Sequence, residues 1–161
     1  MREAIGGNWL FNIVIFFVIL FTGYLCLSIN HTKAFSVKDD IIKIIERNDG
    51  FDNLNNVNSD NDKAIINNIV RSLQEFGYRT TSVCPKADGG PIWYGFDREG
   101  RRDTSNRNSA FCIREIDGSK GSIDLADPVY YQVVVFYQLD LPIFNNLFGF
   151  TVKGDTRLLY N

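Results

Sequence analysis

The sequence predicts an α+β protein carried on a membrane anchor, and three features lead to that expectation. They are an uncharged apolar run near the amino terminus, helical periodicity that outlasts the run, and a switch to period-two alternation in the second half. The run, Trp9 to Ile29, reads WLFNIVIFFVILFTGYLCLSI. A hydrocarbon core of roughly 30 Å takes about 20 helical residues, so residues 8–30 are expected to cross a bilayer once, after a short cytoplasmic segment, residues 1–7. A cleaved signal peptide fits less well. Only Arg2 and Glu3 supply charge ahead of the run, the run outlasts the roughly 7 to 15 apolar residues of a signal core, and Ser28-Ile29-Asn30-His31 is a poor cleavage exit.

Residues 31–48 continue the helix. Ala34, Val37, Ile41, Ile44 and Ile45 follow helical spacing, charged residues fill most other positions, and Gly50 lies near the expected end. One helix from Asn8 to Asn48 would be about 60 Å long, half in lipid and half amphipathic. Residues 49–161 then form the extracytoplasmic α+β domain. It begins with GFDNLNNVNSDND, a loop, because Asn and Asp side chains compete with the backbone for hydrogen bonds. Asp60 and Asp62 invite a calcium reading, but the turn glycine and terminal glutamate of an EF-hand are missing. Ser59 and Asp62 resemble a capping box opening a second helix, with Ile66, Ile69, Val70, Leu73 and Phe76 on one face and Gly77 at its end.

From Tyr78 onward the pattern is that of strands in a small antiparallel sheet. Tyr78 to Cys84, Ile92 to Phe96 and Ser109 to Ile116 are strand-like, and Asp88-Gly89-Gly90-Pro91 reads as a turn. The intervening DREGRRDTSNRN is charged with both signs, which suits a solvated hairpin loop better than a phosphate site. Val129 to Leu139 alternates with both faces largely apolar, as in a central strand, until Pro142 ends it. After the apolar connection PIFNNLFGF, a last strand from Phe150 to Tyr160 returns antiparallel, with Lys153-Gly154-Asp155 as a bulge.

Of three cysteines, Cys26 lies in the span, while Cys84 and Cys112 suit one disulfide in an oxidising compartment. A closed loop of this size, about 29 residues, corresponds to roughly 3 to 4 kcal/mol in the chain-entropy relation. Two unlinked buried thiols are the alternative. Lys33 and Lys38 beyond the span weakly favour a cytoplasmic carboxyl side, and the cysteine pair argues for the opposite orientation. Within the span Gly23 and Thr22 would permit close helix contact, and Asn12 either hydrogen-bonds across helices or faces headgroup water.

A short amino terminus, one span, the continuation AFSVKDDIIKIIER, a cysteine pair and the ending YYQVVVFYQLDLPIFNNLFGFTVKGDTRLLY together resemble TadE-like proteins. These are pilin-like minor components of tight-adherence pili and related type IV filament systems, chiefly bacterial. The resemblance covers most of the chain in architecture, and its motifs are short. It implies a pilin-like fold, a bacterial cell membrane location with the head outside, and partners that are the bilayer and other pilin-like or pilus-assembly membrane proteins. Gly6 and Gly7 match a prepilin processing site, but Phe11 or Asn12 stands where such proteins carry a glutamate five residues into the mature chain.

Other functional classes fare worse. A formal net charge of -2 gives no field suited to nucleic acid. No nucleophile elbow, phosphate loop or metal signature appears, and the one histidine, His31, sits at the membrane boundary. Hence no catalytic residue, cofactor, metal or small-molecule substrate is expected. A sensor would need an output domain, for which the residues ahead of the span are too few. The remaining competitor is a tethered binding or adhesin-like head.

Overall fold

The computed structural model describes residues 2–87, 89–118, 128–138 and 149–160, with the backbone alone for 2–6 and 138. Helix α1 runs unbroken from Arg2 to Arg47, 46 residues, or about 69 Å at 1.5 Å per residue. It starts six residues earlier than the apolar pattern implies, because nothing in Arg2 to Gly7 breaks a helix and two glycines only weaken one. The helix ends where Asp49 (φ 54°) and Gly50 (φ 93°) turn left-handed and the Gly50 amide donates to the Ile45 carbonyl at 3.0 Å. At Gly50 a Cβ would also fall 2.8 Å from the Tyr131 ring, so the turn needs glycine for both angle and space.

Helix α2 spans Asp60–Glu75. Ser59 caps it by accepting the Asp62 amide at 3.0 Å. The fully buried Asp62 carboxylate accepts the Asp52 amide at 2.8 Å and the Asn53 amide at 3.3 Å, tying the polar loop to the helix. The buried face carries Ile65, Ile66, Ile69, Ser72 and Leu73, with Val70 half-buried against the core. Phe76 departs from expectation: as the carboxyl cap it leaves the helical stripe and is 37% exposed.

The strands are β1 Tyr94–Phe96, β2 Arg102–Asp103, β3 Phe111–Asp117, β4 Pro128–Gln138, β5 Gly149–Asp155 and β6 Leu159–Tyr160. They form one antiparallel sheet in the order β2-β1-β3-β4-β5, with β6 pairing the start of β4. The α+β class, with a long apolar first helix, a second helix and a small antiparallel sheet, is therefore as expected. Alternation along β4 sends Tyr131, Val133 and Val135 to a core shared with Ala34, Val37, Ile41 and Ile45 of α1 and the buried face of α2. Its opposite face sends Val134 and Phe136 to a smaller cluster with Trp93, Cys84 and Cys112. Both faces of β4 are covered, which accounts for its nearly continuous apolar run.

Three sequence expectations need correction. Lys153, Gly154 and Asp155 are in regular register opposite Val134, Val133 and Gln132. The irregularity comes just after, where Thr156, Arg157 and Leu158 oppose only Tyr130 and Tyr131, an extra residue that separates β5 from β6. Thr156 stabilises it: its hydroxyl accepts the Tyr131 amide and its own amide donates to the Tyr131 carbonyl, both at 2.9 Å. Second, Tyr78 to Cys84 is not a strand but an irregular segment with a single bridge, Ser82 to Ser109. Third, the charged loop after Phe96 contains β2, which closes a tight hairpin on β1. Pro142, the connection around Leu147 and Phe148, and Asp88 of the expected turn lie outside the described residues.

Candidate functional site

The exposed regions of the molecule are the bare half of α1 and the surfaces of the head. The apolar side chains from Trp9 to Phe21 are all more than two-fifths exposed, so this stretch packs on nothing among the described residues. Such a length of exposed phenylalanine, isoleucine and leucine is long and apolar enough to cross a membrane. Beyond it the same helix enters the head, where Ala34, Val37, Ile41 and Ile45 are fully buried.

Within the bare half, the Asn12 amide donates to the Asn8 carbonyl at 2.9 Å and the Thr22 hydroxyl to the Val18 carbonyl at 2.8 Å. Both side chains thus satisfy a donor inside their own helix. Eleven residues are close to three helical turns, so Asn12 and Gly23 lie within about 20° of each other on the helix face that continues toward Ile41. Gly23 is half-buried and Thr22 exposed. Gly6 and Gly7 are helical, and the space beside Gly7 is open.

Cys84 and Cys112 are joined as a disulfide, with Cα atoms 5.9 Å apart. The bond ties the irregular segment to β3 on the sheet face opposite the helices. Asn106, at φ 52°, reinforces the tie: its side chain accepts the Gly95 amide and donates to the Trp93 carbonyl, each at 2.9 Å, while its carbonyl accepts the Cys84 amide. Tyr78 closes the same region. Its hydroxyl accepts the Phe136 amide at 2.8 Å and lies 2.6 Å from the Phe136 carbonyl and 3.2 Å from that of Ala110. It thereby replaces the ladder pair that would follow Phe111 and Val135, and burial pushes its pKa above the ordinary tyrosine value.

A groove of about 620 Å³ lies on the head between α2 and the β1–β2 hairpin, with Lys63, Glu99, Arg101 and Arg102 on its walls. Arg102 stacks over Tyr94 at 4.1 Å and donates to the Asn55 carbonyl at 2.6 Å, and burial pulls its pKa down. Arg101 pairs with Asp97 at 3.0 Å and with Glu99, which largely cancels the charge at the rim. Beside it, Asp103 is held at about 2, first by the Ser105 hydroxyl and then by the Asn108 amide and the Ser109 hydroxyl. These bonds shape the hairpin.

A third feature escaped sequence reading because its residues are far apart in the chain. Where α1 enters the head, the His31 ring meets Tyr137 edge-on at 5.4 Å and Phe35 at 6.3 Å, and Tyr137 stacks on Phe150 at 5.0 Å. Lys38 places its ammonium 3.9 Å over the Phe35 ring while pairing with Asp39 at 2.8 Å. Only the pairing of Tyr137 with Phe150 across β4 and β5 brings these groups to one end of the sheet.

No family model, curated protein or solved structure matches this chain.

Proposed function

We propose that this chain is a membrane-anchored, pilin-like structural or assembly component of a bacterial tight-adherence or type IV-like pilus or secretion apparatus, acting through protein contacts. One observation carries the reading. A single 46-residue helix is bare and apolar in its first half and is the core of a folded head in its second. Such a helix stores the subunit in lipid and offers a packing surface to other apolar helices, while the head faces the space outside the membrane. The Cys84–Cys112 disulfide supports that outward orientation, because such bonds persist in oxidising compartments. Asn12 and Gly23, on one side of the bare half, suit close approach of a second helix.

The test is to shear filaments from cells that express the chain, and to crosslink the remaining envelopes, identifying partners and the amino-terminal residue by mass spectrometry. The reading expects the chain in filaments or joined to components of their assembly machinery. A chain found alone in the membrane, with no such partner in either fraction, contradicts it.

A further inference from the structure

We propose that the end of the head nearest the bare helix, formed by Phe35, Tyr137 and Phe150 with His31 and Lys33, rests on the bilayer and holds the head at a fixed height and tilt. This deepens the membrane-anchored reading and rests on it. The spacing along α1 is the first support. Trp9 and Phe35 are 26 positions apart on an unbroken helix, or about 39 Å at 1.5 Å per residue. A bilayer with its headgroups is about 40–45 Å thick, and aromatic side chains collect at both of its interfaces. Side chains on a helix lean toward its amino terminus, which brings the Phe35 ring closer still to the span.

Exposure is the second support. Phe35 is 46% and Phe150 38% exposed although both belong to an aromatic cluster that could have closed over them. Ile29, six residues before Phe35 and about 120° round the helix from it, is 57% exposed, so exposed apolar surface persists close to the cluster. Polarity is the third. His31 and Lys33 are exposed at the same level, where an imidazole and an ammonium meet phosphate and carbonyl groups of lipid. The next acid along α1, Asp39, is engaged by Lys38.

Because α1 enters the head without a hinge and packs on β4 and β5, seating the cluster in the headgroups fixes the head at two points instead of one. The occupant is lipid, and a second copy of the chain is the competing one.

The full chain, with Cys26→Ser and the disulfide intact, would be placed in phosphatidylcholine–phosphatidylglycerol nanodiscs and spin-labelled at Phe35→Cys, Phe150→Cys, Ile19→Cys or Lys153→Cys. Collision with oxygen and with a water-soluble nickel complex reports depth. Labels at 35 and 150 are expected to show nickel accessibility several-fold below position 153 and oxygen accessibility below position 19, as at the headgroup level. If position 150 matches 153 while 19 reports lipid, the seat is overturned and the anchor stands. Water-like values at 19 as well would overturn the anchor itself. Protection of 150 from both reagents would mean that protein, not lipid, covers the cluster, and would also overturn the proposal.

Discussion

Two buried tyrosine hydroxyls join the head across long stretches of sequence. Tyr131 bonds the Phe51 amide at 3.1 Å and its carbonyl at 3.2 Å, locking the end of α1 to β4, and Tyr78 plugs the gap beyond β3. Burial raises the Tyr131 pKa from 10.0 to about 12. The folded state thus holds this proton more tightly than the unfolded chain. The resulting stability is fully present below pH 10 and is lost as pH rises toward 12, about 2 to 3 kcal/mol for this group. Denaturant unfolding in detergent at pH 8 and pH 11 should show the loss, and Tyr131→Phe should reduce it while leaving the part that the buried Tyr78 hydroxyl contributes. At pH 8, Tyr78→Phe should cost about 1–3 kcal/mol, because the Phe136 amide loses its acceptor in a buried place. An unchanged midpoint for Tyr78→Phe would remove the hydroxyl from this account. Neither role was legible in the sequence, since Tyr78 looked like the start of a strand and only the fold reveals which backbone groups lack partners.

Among the elements, those with strong periodicity could be read directly. Ala34, Val37, Ile41 and Ile45 fall on one helical face and are the face that is buried. Ser59 was legible as a cap because a hydroxyl ahead of an apolar-periodic run has few other uses. The two-sided apolar alternation of β4 likewise marked a covered central strand. Elements held by distant partners could not be read. Strand β2 is two residues inside a charged loop and exists because β1 pairs with it. The irregular residue after β5 is set by the Thr156 hydroxyl and not by Gly154. Gly154 serves another purpose: a Cβ there would fall 2.7 Å from Lys38 Cδ and 2.8 Å from Ile42 Cδ1, so it lets β5 approach α1 closely. Gly154→Val would force the far ends of the Lys38 and Ile42 side chains to turn aside and should destabilise the head by about 1 kcal/mol. At Gly149 nothing lies within 4 Å of a Cβ, and Gly149→Ala should change stability by no more than about 0.5 kcal/mol. Equal effects at the two sites, measured by thermal unfolding, would contradict the close-packing role.

For the molecule as a whole, the division into a bare apolar half-helix and a folded head was legible, but its boundary was not where composition changes. The head's core begins inside α1, so the bare apolar residues and those that organise the sheet belong to one unbroken helix. On the proposed function, that continuity fixes the head relative to the membrane-spanning half. It also left the aromatic end of the sheet invisible in the sequence, because His31, Tyr137 and Phe150 meet only after folding. On the proposed function, the bare half of α1 contacts lipid first and other apolar helices afterwards. A photocrosslinking amino acid at Phe16, which is 62% exposed on that half, tests it most directly in intact cells. Adducts with the apolar helix of a pilus or secretion-apparatus protein are expected alongside lipid adducts. Adducts confined to lipid, or to soluble proteins, would contradict it.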